Sequence, residues 1–218
     1  MTYSYTQWSM FKKCGQQWAY RYLHRVPDPQ PKPPAAERGT SIHDLWEQLL
    51  KGEIDEFPDE FDGLKMYNEF ALMLREKGAM PEVEFRLNES WEPVESGGYV
   101  RGFIDILVLP GPPTMYIYEL KTGREYDDHV FQRQFYGTAA LAIKEDYETV
   151  KVTGVYLDQG RNVENEYHSK MLTTYKYFWD SKFELMEKES THVPNPGPHC
   201  RWCPYSNDKG GPCKFSGN

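Results

Sequence analysis

The sequence predicts an α/β fold in which helices flank a mixed β-sheet and a helical region comes first. Three observations lead to this prediction. Aromatic residues recur at roughly helical spacing in the first predicted helix, and the predicted elements are helices up to about residue 80, followed by strands, a helix, strands and a last helix. In the segment 99–122, a Gly/Pro turn at 110–114 separates two apolar segments rich in β-branched residues, which is typical of a β-hairpin.

Length and charge narrow the class of protein. The 218 residues suffice for one domain of ordinary size, or one domain with a small appendage, and a hydrophobic content of 39% supports a core. The net charge of −8 argues against binding nucleic acid through a broadly basic surface, although it allows a local basic groove. Because we find neither a membrane-spanning apolar segment nor a signal-peptide pattern, we expect a cytoplasmic protein with no membrane partner.

The helical region is predicted to contain three helices and one stiff connector. The helices are Thr6–Leu23, capped by Ser4 or Thr6, then Ile42–Leu50, capped by Thr40 or Ser41, and Asp59–Lys77, ending at Gly78. Pro27–Pro34 is too rich in proline for a helix or strand and is expected to be extended. The aromatic and basic residues of the first helix allow two interpretations, core packing beside a solvated basic face or a groove that stacks bases and contacts phosphates.

The remaining elements form the predicted sheet and its helices. The strands are Pro81–Leu87, the two arms of the hairpin, 151–157 and 162–170. One helix begins at Asp127 or Asp128 and ends near Lys144, and the last begins at Thr173 or Thr174 and ends near Glu189. From His192 onwards the tail is rich in proline and glycine.

The hairpin carries the candidate catalytic residues. If its turn closes symmetrically, Leu107 pairs with Ile117, and Asp105 lies opposite Glu119, with Lys121 on the same face as Glu119. Two opposed carboxylates repel each other, so at neutral pH the pair favours a shared proton or a cation. Carboxylate oxygens are the ligands that Mg²⁺ and Mn²⁺ prefer. We therefore take the two acids and the lysine as a candidate site for metal-dependent hydrolysis.

Four cysteines are candidate ligands of a second metal centre. Cys200, Cys203 and Cys213 lie in the tail, whereas Cys14 lies in the first predicted helix. A disulfide framework is not expected in a chain with no export signal. Four thiolates suit either zinc or an iron–sulfur cluster, although the second CxxC of a zinc ribbon is missing. Such a centre would join the two ends of the chain, and the alternative is four unrelated thiols.

Several motifs that are weak when taken singly indicate a protein family when their order along the chain is considered. His43 alone is more often a packed residue than a ligand, and Gln132 and Tyr136 merely share one face of a helix. In chain order, the motifs are YSYTQWSMFKKCGQQWAYRYL, RGTSIHDLWE, VRGFIDIL, YELKTG, DHVFQRQFY at 128–136, and CRWCPY followed by Cys213. Together they resemble a RecB-like nuclease of the PD-(D/E)XK superfamily. The likeness is closest to the cysteine-bearing group that includes the CRISPR-associated exonucleases and the AddB nuclease domain.

The resemblance implies a role for each motif. The ligands of Mg²⁺ or Mn²⁺ would be His43, Asp105, Glu119 and the backbone carbonyl of Leu120. Lys121 would orient the attacking water or help to deprotonate it, with a pKa that the metal could lower. Gln132 and Tyr136 would position the phosphodiester or brace the site, and Glu84 matches a common acidic position of the family. Cys14, Cys200, Cys203 and Cys213 would hold a structural [4Fe–4S] cluster, with Zn²⁺ as the alternative.

The resemblance also implies a fold and a domain organisation. The fold would be a restriction-endonuclease-like PD-(D/E)XK core with a central mixed sheet, an N-terminal helical region and a cysteine-rich metal-cluster tail. Residues 1–218 would form a single nuclease domain. Within it, residues 1–80 would be the helical region, 81–190 the catalytic core and 191–218 the tail, joined to Cys14.

The implied function is that of a metal-dependent DNA exonuclease. It would hydrolyse phosphodiester bonds in single-stranded DNA or from DNA ends, in recombination, repair, replication or CRISPR adaptation. A helicase, a recombinase or a CRISPR-associated protein would be its partner, an oligomer is compatible with the family, and phage enzymes belong to it. Two alternatives remain, a nucleic-acid-binding or scaffolding protein that keeps the fold without turnover, and a zinc-stapled protein of unrelated function.

Overall fold

The computed structural model describes residues 1–28 and 30–216. Pro29 of the predicted connector and the last two residues of the predicted tail lie outside the described residues. The described chain divides into two compact units. The first contains Met1–Thr2 and Ala35–Trp179, and the second contains Tyr3–Pro34 and Asp180–Asn218. Within the described ranges, no helix is both long enough and apolar enough to cross a membrane.

One five-stranded sheet and six α-helices form most of the described secondary structure. The helices are α1 Tyr5–Lys13, α2 Gly15–Trp18, α3 Pro34–Lys51, α4 Asn68–Glu76, α5 His129–Ile143 and α6 Leu172–Lys188, with a π-helical turn at Ala19–Leu23. The strands are β1 Met80–Leu87, β2 Val100–Val108, β3 Thr114–Lys121, β4 Thr149–Tyr156 and β5 Arg161–His168. Their order in the sheet follows their order in the chain. β3 and β4 are parallel and all other neighbours are antiparallel, which confirms the predicted α/β class with a mixed sheet.

The β2–β3 hairpin has the register that its turn predicts. Leu107 pairs with Ile117, as expected for a symmetric closure. Gly111 in the turn has a φ of 111°, a conformation that only glycine adopts without strain. The hairpin is therefore closed by the turn residues. Glu119 and Lys121 lie at the end of β3 away from the turn, and Asp105 lies within β2.

Helix α3 is fixed on one face of the sheet by a buried stripe. Ile42, Trp46 and Leu49 are buried at helical spacing and belong to one core cluster with Ile106 and Leu120 of the hairpin. Burying each isoleucine or leucine of this stripe contributes about 1.5–3 kcal/mol. The stripe holds the neighbouring position on α3, residue 43, beside the hairpin.

Helix α5 is buried along most of its length. The ring of Phe135 packs edge-to-face on Trp179 at 4.9 Å. At Gly137 the helix approaches β5 so closely that a Cβ atom would lie 2.7 Å from the ring of Tyr167. This close packing fixes the first turn of α5, which carries Gln132, against the sheet.

Two predicted helices differ from the structure in the helical region. α3 begins at Pro34, well before the predicted start, because proline suits the first turn of a helix. The prediction that Thr40 or Ser41 caps this helix is wrong, since both hydroxyls donate to carbonyls one turn earlier, at 3.1 and 3.2 Å. The predicted helix 59–77 is a 3₁₀-helix, Asp59–Tyr67, followed by α4, with a kink where Phe61 leaves helical geometry.

The first predicted helix is also divided. It is capped by Ser4, whose Oγ accepts a hydrogen bond from the N–H of Gln7 at 3.3 Å. The helix ends at Cys14, which is extended with φ −162° and ψ 110°, and α2 and the π-helical turn follow. The poor helix propensity of Gly15 explains a break at this position.

The second unit has an aromatic core of its own. Tyr3 stacks on Phe183 at 4.7 Å, and the buried Trp18 stacks on His192 at 5.4 Å. The hydroxyl of Tyr205 donates to the carbonyl of Val26 at 3.2 Å. For Trp8 and Trp18, which are both buried, the core-packing interpretation of the first helix is confirmed.

Candidate active site

Asp105 is held in place by a hydrogen bond across the hairpin. Its Oδ2 atom accepts from the backbone N–H of Leu120 at 2.7 Å, and the residue is only 8% exposed. Its Oδ1 atom lies 3.6 Å from Nδ1 of His43. The carboxylate therefore has one oxygen engaged by the backbone and one directed toward the histidine.

Glu119 has one engaged oxygen and one without a partner. Oε1 accepts from Nζ of Lys121 at 2.8 Å and from Nε2 of Gln132 at 2.6 Å. Oε2 is buried and has no hydrogen-bond partner among the described residues. A buried carboxylate oxygen left without a partner is costly, so its surroundings favour a cation. Gln132 is in turn held by α5, because its Nε2 also donates to the hydroxyl of Tyr136 at 3.3 Å.

His43 joins two acids rather than one. Its Nδ1 lies 3.5 Å from Oε1 of Glu82, in addition to its contact with Asp105. One nitrogen or oxygen atom from each of these three residues lies within 4.8 Å of the others. Carboxylate oxygens with one imidazole nitrogen are ligands that suit a divalent cation. The histidine and the two acids thus form the candidate metal site, and the charge of Glu119 acts on both His43 and Asp105.

Glu82 is not among the residues that the sequence predicts, because the family resemblance points to Glu84 instead. The structure corrects this assignment, because Oε1 of Glu84 is engaged by Arg86 at 2.8 Å and by Arg101 at 2.6 Å. Glu82 has a φ of 48°, and it lies where the pairing of β1 with β2 is interrupted, opposite Asp105. Strand alternation does not predict a residue that leaves strand geometry. Only the β1–β2 register, which aligns residue 82 with residue 105, could have indicated it.

The crowding of acids changes the protonation of the site. Burial and the charge of Glu119 raise the pKa of Asp105 to about 8. Burial alone would lower the pKa of His43, but Glu82, Asp105 and Glu119 outweigh it and raise the pKa to about 9. Without a cation, the site therefore holds protons at neutral pH.

Lys121 is a charged ammonium in this environment. Its burial would lower its pKa, but the carboxylates of Glu119 and Asp105 outweigh that effect and raise the pKa above its usual value. The expected lowering of this pKa by a bound metal would therefore start from a raised value. At neutral pH the ammonium donates hydrogen bonds and does not accept a proton.

The four cysteines come together within the second unit. Cys14, Cys200, Cys203 and Cys213 are free thiols and line one cavity, next to Tyr20 and Tyr205. Burial and the other three cysteines raise the pKa of Cys203, although a backbone hydrogen bond at Tyr205 opposes this. Throughout the described chain, the only group of three or more metal-binding atoms within 4.8 Å is the one at His43, so no three of these sulfurs lie that close.

Comparisons with known proteins identify the family and the fold of the chain. A family model described as the PD-(D/E)XK nuclease superfamily matches residues 2–207. A crystal structure of the protein SSO0001 is similar in fold, with a TM-score of 0.51 at 17% sequence identity over 94% of this chain and 83% of the other. No curated protein matches the sequence significantly. The family model spans nearly the whole sequence and implies a metal-dependent nuclease that acts on DNA, and the chain belongs to the PD-(D/E)XK nuclease superfamily.

Proposed function

We propose that this chain is a metal-dependent DNA exonuclease that hydrolyses phosphodiester bonds at DNA ends. The observation that supports the proposal best is the partnerless, buried Oε2 atom of Glu119, which belongs to the same group of charges as His43 and Asp105. A carboxylate oxygen in this state fits Mg²⁺ or Mn²⁺. The resemblance to the cysteine-bearing exonucleases supports the finer assignment to DNA ends.

The metal would be held by side chains from the sheet and from α3. The proposed ligands are His43 of α3, Asp105 of β2, Glu119 and the backbone carbonyl of Leu120 of β3, with Glu82 of β1 as an added ligand. A bound divalent ion supplies Lewis-acid chemistry, which polarises the phosphate, lowers the pKa of water and stabilises the leaving oxygen. Asp105 keeps its orientation through the N–H of Leu120, and this leaves Oδ1 for binding.

Lys121 is proposed to act through its hydrogen bonds. As an ammonium held by Glu119 at 2.8 Å, it can orient the attacking water and offset negative charge on the phosphate. Gln132 and Tyr136 are proposed to brace Glu119, because the amide of Gln132 bridges the two. The resemblance left open whether this pair contacts the phosphodiester, and the observed bridge favours the bracing role.

End-labelled DNA tests the proposal. We would incubate linear single-stranded, linear double-stranded and closed circular DNA with Mn²⁺ and resolve the products over time, with Lys121→Ala as the control for a contaminating nuclease. Progressive shortening of linear DNA, with circles left intact, is the expected result. Cutting of circles at the same rate would contradict the assignment to ends. No cutting of any DNA by a folded protein would favour the alternative of a binding or scaffolding protein.

We propose that the four cysteines hold a [4Fe–4S] cluster. Four thiolates around one zinc, at about 2.3 Å each, would lie about 3.8 Å apart, whereas a four-iron cluster keeps its thiolates further apart. The sulfurs here share a cavity without any three lying within 4.8 Å, which supports the larger group. A brown, oxygen-sensitive protein with about four irons and four sulfides per chain is expected. Colourless protein with one zinc per chain would contradict the cluster.

The wider setting follows from the same resemblance. We propose that 1–218 acts as a single nuclease domain in the cytoplasm, with a helicase, a recombinase or a CRISPR-associated protein as its partner. The proposed process is recombination, repair, replication or CRISPR adaptation. Isolation of the full chain with its bound proteins, followed by sizing of the complex, tests this proposal.

A further inference from the structure

The loop between β3 and α5, residues 122–128, carries an arginine and a tyrosine shortly after Lys121. Tyr126 is 53% exposed, and the guanidinium carbon of Arg124 lies 5.0 Å from the centre of its ring. Arginine and aromatic rings stack readily, and both also stack on nucleobases. The pair therefore has the chemistry of a nucleotide-binding surface.

Two ion pairs of Glu125 hold this loop in place. One carboxylate oxygen of Glu125 lies 3.1 Å from Arg161, and the other lies 3.6 Å from the buried Arg133. Two arginines thus hold the residue between Arg124 and Tyr126. The exposed pair is carried on a tethered segment, so binding a ligand there would cost less ordering than binding to a free loop.

A chain of rings joins Tyr126 to the candidate active site. Its ring packs edge-to-face on His129 at 5.5 Å, and His129 stacks on Tyr156 at 5.7 Å. Nδ1 of His129 also lies 2.9 Å from the hydroxyl of Tyr156. In the sheet, Tyr156 is the β4 residue paired with Lys121. A DNA strand with a phosphate at Lys121 that runs toward this loop would therefore reach Tyr126 within a few nucleotides.

Arg124 differs from other arginines of this unit in having no acidic partner. Arg38 is paired with Asp158 at 2.7 Å, and Arg101 is paired with Glu84 at 2.6 Å. Among the described residues, no carboxylate lies within 4.0 Å of the guanidinium of Arg124. In a chain with a net charge of −8, such a cation is well suited to a DNA phosphate.

We propose that Arg124 and Tyr126 form a subsite for a nucleotide of single-stranded DNA, next to the candidate active site. Tyr126 stacks on the nucleobase, and Arg124 contacts the neighbouring phosphate. Because a base inside a duplex has no free face, the subsite favours a single-stranded or frayed end over a fully paired one. This inference rests on the proposed nuclease function and adds the strand preference of the same site.

The test measures binding and stacking separately from cleavage. Full-length protein would be titrated into fluorescein-labelled single-stranded DNA with Ca²⁺ in place of Mn²⁺, so that anisotropy reports binding. Tyr126→Ala is expected to weaken binding by roughly 5- to 100-fold, while Tyr126→Phe, which keeps the ring, stays within about twofold of the wild type. In oligonucleotides that carry 2-aminopurine at successive positions, the wild type should quench one position near the end, and Tyr126→Ala should not.

The salt dependence of DNA affinity measures the contribution of the Arg124 charge. Arg124→Gln is expected to reduce the slope of log affinity against log salt by about 0.7, whereas Arg124→Lys keeps it. Tyr126→Ala should leave that slope unchanged. Tyr177→Ala on α6 removes a tyrosine that is 75% exposed and serves as the matched control, with no expected effect on binding.

The outcomes separate this inference from the proposed function. If the wild type cuts and binds single-stranded DNA but Tyr126→Ala binds as tightly, only the subsite is wrong. Equal losses in Tyr126→Ala and Tyr177→Ala, or an equal loss in Tyr126→Phe, would also overturn it. If the wild type neither binds nor cuts DNA, the proposed function fails and the subsite fails with it.

Discussion

The Oε1 atom of Glu82 lies 3.5 Å from Nδ1 of His43, and the backbone of Glu82 has a φ of 48°. A residue other than glycine in this conformation costs on the order of 1 kcal/mol, and such strained residues cluster at functional sites. The conformation turns this carboxylate to the candidate metal site, whereas Glu84, two residues later, is bound by two arginines. The pair of glutamates therefore offers a matched test.

We expect Glu82→Gln to weaken Mn²⁺ binding by roughly tenfold or more and to slow cleavage in parallel, because it removes a charged oxygen from the site. Glu84→Gln removes the same charge from the same strand but leaves the site intact, so it should bind Mn²⁺ like the wild type. Isothermal titration calorimetry measures both variants. Equal effects of the two substitutions would show that Glu82 has no special role.

Lys121→Ala should reduce cleavage by about 100-fold or more, while the affinities for Mn²⁺ and DNA change by less than about threefold. The substitution removes a hydrogen-bond donor at the reaction centre but none of the proposed ligands. Lys151→Ala, on the neighbouring strand β4, removes a lysine that pairs with Glu164 and Glu166 and serves as the control. Near-normal turnover of the Lys121 variant would refute the water-orienting role.

Metal binding should release protons. Because the pKa values of His43 and Asp105 are raised to about 9 and about 8, the site holds protons at pH 7 when no metal is bound. A cation must displace these protons, so the Mn²⁺ affinity should rise as the pH rises from about 6 to about 9. Calorimetry in two buffers with different ionisation enthalpies counts the protons released. His43→Asn should release fewer protons, and an affinity that does not depend on pH would contradict this prediction.

His129 should make the fold sensitive to acid. Burial and the charges of Lys121 and Arg133 lower its pKa to about 4, below the value of about 6.5 in the unfolded chain. As the pH falls, the unfolded chain therefore binds a proton on this histidine at a higher pH than the folded chain does. The contribution of neutral His129 to the free energy of unfolding is complete above about pH 6.5. It is lost as the pH falls toward about 4, and the loss is at most about 3 kcal/mol. Urea unfolding at about pH 7.5 and about pH 5 should show a smaller loss for His129→Asn than for the wild type.

Cys203→Ala should damage folding more than chemistry. If the four cysteines bind one cluster, losing a ligand frees Cys14 from the tail and destabilises the second unit. A lower melting temperature and a lower yield of soluble protein are expected, with residual cleavage by the fraction that folds. Thermal unfolding followed by circular dichroism measures this. A variant as stable as the wild type would mean that the cysteines do not support the fold.

The hairpin could be predicted because its geometry is local. Its turn fixes the register, and the charges of Asp105, Glu119 and Lys121 come close to one another as alternation predicts. Gln132 and Tyr136 could be paired for a similar reason, since they are one helical turn apart. In each case, residues near in sequence or joined by a tight turn determine the contact.

Other features depend on contacts that sequence patterns do not report. Glu82 reaches His43 only because the strand is interrupted at a position without glycine. Thr40 and Ser41 are typical caps but lie inside α3, where apolar burial of Ile42 and Trp46 outweighs their preference. The break at Cys14 divides a segment whose spacing of aromatic residues is continuous.

The two carboxylate oxygens of Glu119 differ in their partners, and this difference fixes the position of the side chain before any ion binds. Lys121 and Gln132 already hold Oε1, so the second oxygen points where it does without help from an ion. An incoming cation would not need to pull this side chain away from another partner. Crystal structures determined with a chelator and after soaking in manganese should therefore show the same conformation of Glu119. The side chain would be preorganised for the ion.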